Sequence, residues 1–140
     1  MTMKTPADSI HASRTILIAD DEAHIVYILE AKLSKAGYRV IVARDGREAL
    51  DLAQRERPDL CITDLNMPGT DGLEFSLGLR DHGPTADIPV VMLTGRGHTV
   101  PDEQRVRTNI VHLESKPFSA RALLSLVQSI LDPAAGRKTA

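Results

Sequence analysis

Cysteine is almost missing from this chain. Cys61 is the single thiol in 140 residues, which rules out an intramolecular disulfide and any multi-cysteine metal site. Its place inside an apolar run marks it as a small core residue. Long apolar stretches are missing too. No run approaches the roughly 20 residues of a membrane span, and no signal-peptide hydrophobic region follows the N-terminus, so a soluble cytoplasmic protein without membrane contact is expected. Nor is there an excess of one charge. Nineteen acidic against seventeen basic residues leave a net charge of -2, so no overall basic field draws in nucleic acid or an anionic membrane. The five histidines are scattered without ligand-like spacing, and neither repeats nor low-complexity blocks occur.

What remains fits one globular domain, with 42% hydrophobic and 26% charged residues. Residues 1–13 read as a flexible polar leader, 14–132 as the folded domain and 133–140 as a C-terminal tail. Thr15 to Ala19 is a continuous apolar run closed by Asp20-Asp21-Glu22, a strand meeting acids. Ile25, Ile28, Leu29, Leu33 and Ala36 then recur at helical spacing until Gly37. Arg39–Ala43 predicts a second strand, and Gly46–Arg57 a helix turning Ala49, Leu50 and Ala53 inward. Leu60 to Ile62 is apolar without alternation, as in a strand covered on both faces, and delivers Asp64 to a turn at Met67-Pro68-Gly69. Taken alone, this stretch reads equally well as a plain turn or as a chemical site.

The alternation continues. Leu73 to Arg80 predicts a helix with Leu73 and Leu77 on one face, and Ile88 to Leu93 a strand ending on Thr94-Gly95. A short helix is expected over Asp102–Arg107, weakened by Gly97 and Pro101, then a strand from Ile110 to Ser115 leading to Lys116-Pro117-Phe118. Ser119 can cap a last helix with Leu123, Leu124, Val127, Ile130 and Leu131 as its stripe. Tyr27, Tyr38, Phe75 and Phe118 read as partial core. Five strands alternating with five helices imply an α/β three-layer sandwich with a mostly parallel sheet and right-handed crossovers.

In such a sheet the C-terminal strand ends share one lip, which brings Asp20, Asp21, Asp64, Thr94 and Lys116 to one crevice. Three carboxylates gathered there repel one another and call for a cation. Oxygen-only donors point to a hard ion, and Mg²⁺ suits so few carboxylates while zinc does not. Singly, each piece has an ordinary reading: a solvated turn, a local backbone acceptor, a surface lysine. The joint pattern of acids after the first and third strands, a hydroxyl after the fourth and an ammonium after the fifth favours chemistry.

Four segments in order, Ile16 to Glu22, Asp64 to Gly72, Ile88 to Thr94, and Lys116-Pro117-Phe118, make residues 14–131 resemble the receiver domains of two-component response regulators. The resemblance implies a flavodoxin-like sheet of order 2-1-3-4-5. It implies that Asp64 is the phosphoacceptor, taking a phosphoryl group from a sensor histidine kinase or histidine phosphotransfer protein. Asp21 and Asp64 would bind Mg²⁺ directly with the main-chain carbonyl of Asn66, and Asp20 would assist. Lys116 and Thr94 would hold phosphoryl oxygens. Such a protein is a timed switch that promotes only its own phosphorylation and dephosphorylation, not a metabolic enzyme. Its output would pass to a downstream protein target near the fourth helix and fifth strand, with homodimer formation left open.

Departures from the family pattern lie at Leu113, where an aromatic is common, at Asn109-Ile110, at Glu114 inside the fifth strand and at Pro101. They imply an altered output surface. Asn66 and Arg96 occupy positions that tune the acyl phosphate lifetime in the family. A single-domain receiver is expected, with a module of a longer regulator as the runner-up. Direct DNA binding is not expected, for want of a helix-turn-helix or basic recognition helix. Two other classes are a phosphorylation-independent docking module and a haloacid-dehalogenase-like phosphatase. The latter expects an acid where Asn66 stands.

Overall fold

A computed structural model describes residues 14–95 and 100–132. The expected leader 1–13, the tail 133–140 and Arg96 lie outside the described residues. Five strands, β1 (Thr15–Ala19), β2 (Arg39–Ala43), β3 (Leu60–Asp64), β4 (Val90–Thr94) and β5 (Ile110–Ser115), alternate with five helices. The helices are α1 (Ala23–Lys35), α2 (Gly46–Glu56), α3 (Gly72–Asp81), α4 (Asp102–Arg105) and α5 (Ala120–Leu131), and a 3-10 turn spans Gly83–Thr85. The strands form one sheet of order β2-β1-β3-β4-β5 with every pair parallel. No described helix is long and apolar enough to cross a membrane.

The sheet is buried on both faces, which explains why its strands read as unbroken apolar runs. Leu17, Cys61 and Met92 point to one face, where Ala49 and Ala53 of α2 and Phe75 and Leu79 of α3 close over them. Ile16, Ile18, Ile62, Val91 and Leu93 point to the other, against Leu29 and Leu33 of α1 and Leu123, Val127 and Leu131 of α5. Local signals fix the helix ends. Asp71 and Glu74 form a reciprocal capping box on α3, Asp45 caps α2 and Ser119 caps α5. Arg57 adopts a left-handed conformation (φ 47°) and ends α2 one residue earlier than expected.

Several expectations are corrected. β4 starts at Val90 and reaches Thr94, because the Ile88 amide is held by the Thr85 carbonyl at 3.2 Å and Pro89 has no N–H for a ladder. The core face of α3 is Phe75, Ser76 and Leu79, with Leu73 and Leu77 only half-buried. Two stripes spaced by four residues compete on that helix, and the bulkier aromatic takes the sheet. α4 stops at Arg105 and buries no residue. Tyr27 is 74% exposed instead of partial core, and Ile28 also faces solvent.

The unusual residues of the fifth strand are absorbed locally. Asn109 accepts from Arg80 and donates to the Ala86 carbonyl, tying α3 and the turn after it to the start of β5. Val90 pairs with Ile110 but Val91 pairs with His112, so Val111 bulges out of register. Glu114 does not break the strand, since it sits half-exposed on the edge and meets His112 at 2.8 Å.

Candidate functional site

β1 and β3 are central neighbours, so their ends carry Asp20 and Asp64 to adjacent points on the lip. The Asp20 amide donates to Ala43 O at 3.1 Å, and its Oδ1 accepts from the Glu22 amide at 2.9 Å. Asp64 Oδ1 accepts from the Asn66 amide at 3.4 Å. Asp20 and Asp64 are buried and Asp21 is exposed, and carboxylate oxygens of the three lie within 4.8 Å of one another. Lys116 enters from the end of β5. Its amide donates to Thr94 O at 2.8 Å, which registers the β5 end against β4, and the Lys116–Pro117 bond is cis. Its Nζ reaches Asp64 Oδ2 at 3.3 Å and Asp20 Oδ2 at 3.5 Å.

The sequence-derived set therefore meets at one place. Asp20, Asp21, Asp64 and Lys116 are in mutual reach, and Thr94 lies buried at the end of β4 beside Asp64's partner Leu93. Asp21, Glu22, Asp64, Asn66, Gly95 and Lys116 line an open cleft of 340 Å³. Three residues the sequence reading passed over belong here. Glu22 was visible as a third acid after Asp20-Asp21, yet nothing in sequence indicates that its carboxylate meets Lys116 at 2.7 Å. Gly46 opens α2 against the loop between β3 and α3, where a side chain would overlap the main chain of Thr70. Gly72 does the same for the Asp64 carbonyl.

Electrostatics follow from this crowding. Burial pushes the Asp20 carboxyl above its ordinary range; the Glu22 amide bond and Lys116 pull it down, while Asp64 adds to the rise. Burial likewise raises Asp64, opposed by Lys116 and the Asn66 amide. Burial would lower Lys116, but the bond to Glu22 and the charges of Asp20 and Asp64 outweigh it, and its pKa is raised. The Lys116 bond lowers Glu22. Two buried acids with raised pKa values, despite an adjacent ammonium, mark a site short of positive charge. Three oxygen donors within 4.8 Å, one of them exposed, fit a hard divalent ion that keeps part of its water shell.

Comparison with known proteins gives the same direction. Residues 16–128 match the family described as the response regulator receiver domain. The protein named "Probable transcriptional regulator ycf27" of Galdieria sulphuraria is 37% identical over 124 residues, covering 89% of this chain and 48% of the relative. The ycf27 protein of Guillardia theta is 36% identical over 122 residues, 87% of this chain and 47% of the relative. The chain thus spans about half the length of the curated relatives it matches. Among solved structures, the chemotaxis response regulator CheY4 of Vibrio cholerae is 34% identical with a TM-score of 0.75, covering 84% of this chain and 98% of that one. The receiver domain of a Pseudomonas aeruginosa sensor histidine kinase, solved with a magnesium ion coordinated in its active site cleft, is 27% identical with a TM-score of 0.76, covering 86% and 98%. Sheet order, the acid cluster at its lip and the match over residues 16–128 agree, and the chain belongs to the response regulator receiver domain family of two-component systems.

Proposed function

We propose that Asp64 is the phosphoacceptor of this receiver and that Thr94 and Lys116 serve the transfer. The observation that carries the reading is the buried carboxylate of Asp64 at the end of the central strand β3, set 3.3 Å from a lysine ammonium and within 4.8 Å of the carboxylates of Asp20 and Asp21. In the transfer an Asp64 oxygen forms a P–O bond as the P–N bond to a donor imidazole breaks in line, which needs positioning and charge dispersal more than covalent help. Lys116 is placed to take one equatorial oxygen of the phosphoryl group, and the Thr94 hydroxyl would take another. Mg²⁺, held by Asp21, Asp64 and the Asn66 carbonyl with Asp20 behind, would supply positive charge to the remaining oxygens. A magnesium ion in the comparable cleft of the Pseudomonas receiver supports that assignment.

The donor would be a sensor histidine kinase or a phosphotransfer protein. The new charge would bias two arrangements of the Thr94 region and so alter the surface near α4 and β5, which a downstream partner reads. A second reading of the output is favoured by the ycf27 relatives, named as transcriptional regulators and about twice as long. In it the receiver governs a separate transcriptional unit, and DNA contact is made elsewhere. Asn66, where a haloacid-dehalogenase-like phosphatase needs an acid, speaks against sustained phosphomonoester turnover.

The test is intact mass after incubation with acetyl phosphate and Mg²⁺, with Asp64→Asn alongside. One phosphoryl adduct is expected on the native chain and none on the variant. Adducts on both, or on neither, refute the assignment.

A further inference from the structure

Glu22 is the N-cap residue of α1, a position whose side chain commonly accepts from the first helical turn. Here it makes no such bond. Asp20 accepts from the Glu22 amide at 2.9 Å, and the Glu22 carboxylate reaches instead across 94 residues of sequence to Lys116 Nζ at 2.7 Å. That contact is shorter than those of the ammonium to Asp64 at 3.3 Å and to Asp20 at 3.5 Å. An ammonium carries three N–H donors. Glu22 and Asp20 accept two of them and Asp64 pairs with the same ammonium, so in the resting arrangement a phosphoryl oxygen must compete with three carboxylates for it.

Building on the reading of Asp64 as phosphoacceptor, we propose that Glu22 is a positioning residue that holds Lys116 in the resting state and competes with the incoming phosphoryl group for its ammonium. Of the three acids, Asp20 and Asp64 belong to the set that a divalent ion would draw on, which leaves Glu22 to contest Lys116. The Glu22 side chain is 44% exposed against 17% for Lys116, so it can swing into water without uncovering the core. Apart from Lys116, the basic group within ion-pair distance of Glu22 among the described residues is the His24 imidazole, at 3.9 Å. Glu22 also lines the cleft beside Asp21 and Asp64, adding negative charge where an anionic donor must enter.

The test follows adduct growth by intact mass at saturating Mg²⁺ over a range of acetyl phosphate concentrations. The chains compared are the native one, Glu22→Gln, Glu22→Asp, Lys116→Met and the Glu22→Gln/Lys116→Met pair. As the adduct forms, the Asp64 oxygen bonds to phosphorus and acetate departs with the electrons of its P–O bond. Glu22→Gln is expected to lower the donor concentration for half-maximal rate by about two- to fivefold, the scale of a partly exposed ion pair, with little change in the maximal rate. Glu22→Asp, which keeps the charge, should stay near the native value. The Glu22→Gln gain should vanish in the Lys116→Met background, since the two residues act as one unit. Should Lys116→Met form no adduct, the same cycle is run on beryllofluoride affinity, where Glu22→Gln should bind tighter by the same factor and only with Lys116 present. An unchanged or slower Glu22→Gln, or a gain that survives loss of Lys116, overturns the proposal. An Asp64→Asn control separates the two levels: an adduct there, or none on the native chain, refutes the phosphoacceptor reading itself. An adduct confined to Asp64 with no Glu22→Gln effect refutes only the role of Glu22.

Discussion

Replacing Asp64 by asparagine should stabilise the metal-free protein. The side chain is 6% exposed and its carboxylate lies within 4.8 Å of two other acids. At an effective dielectric of about 20, each like-charge pair at that spacing costs about 3 kcal/mol, while the ammonium 3.3 Å away offsets about 5. Repulsion and attraction thus nearly cancel, and the burial of the charge decides the sign. The opposing effect is that removing one partner of a buried ion pair can orphan the other. It does not apply here, because Lys116 keeps Glu22 at 2.7 Å and Asp20 at 3.5 Å. The amide oxygen can still accept from Asn66. A gain of about 1 to 2 kcal/mol follows, which for a domain of this size raises Tm by about 4 to 8 °C. The assay is thermal unfolding in EDTA and in excess Mg²⁺ at pH 7.5. In EDTA the variant should melt higher; in Mg²⁺ only the native chain should gain, by about 2.7 kcal/mol at a hundred times Kd, closing or reversing the gap. A variant that melts at or below the native chain in EDTA, or that responds equally to Mg²⁺, would refute the view of an anion-crowded site awaiting a cation.

Two further outcomes follow. Because burial raises the folded-state pKa of both Asp20 and Asp64, their contribution to stability is full below the unfolded carboxylate value and is lost as pH rises through the raised folded values. The Tm advantage of Asp64→Asn in EDTA should therefore shrink from pH 7.5 to pH 5, and the Tm increment from Mg²⁺ should shrink with it; thermal melts at the two pH values check both. Gly72→Ala, whose side chain would overlap the Asp64 carbonyl, should weaken Mg²⁺ binding by calorimetry at least tenfold. Gly83→Ala, which meets nothing within 4 Å, should leave that affinity unchanged.

The bounds of β1, β2, β3 and β5 could be read from the chain because each run stops at a charged residue, Asp20, Arg44, Asp64 or Lys116. β4 slipped by two residues at its start, since Ile88 is as apolar as a strand residue while its amide is engaged in the preceding turn. Which face of α3 lies deepest was not legible, because Leu73/Leu77 and Phe75/Leu79 satisfy the same spacing and only the sheet beneath selects between them. Tyr27 looked like core for its bulk alone, yet it stands on the outer side of α1. In the site, Asp20, Asp64 and Lys116 were legible because strand ends in a parallel sheet must share an edge. The reach of Glu22 and the close approaches at Gly46 and Gly72 were not, since both depend on how one loop sits against another.

The ammonium that completes the cleft comes from 96 residues beyond Asp20, after all five strands have been laid down. A copy whose last strand has failed to dock would keep the acids together but lack the cation facing them. With Lys116 serving the transfer as proposed, such a copy would be mute rather than falsely active, and the same contact would act as a test of whether folding has been completed.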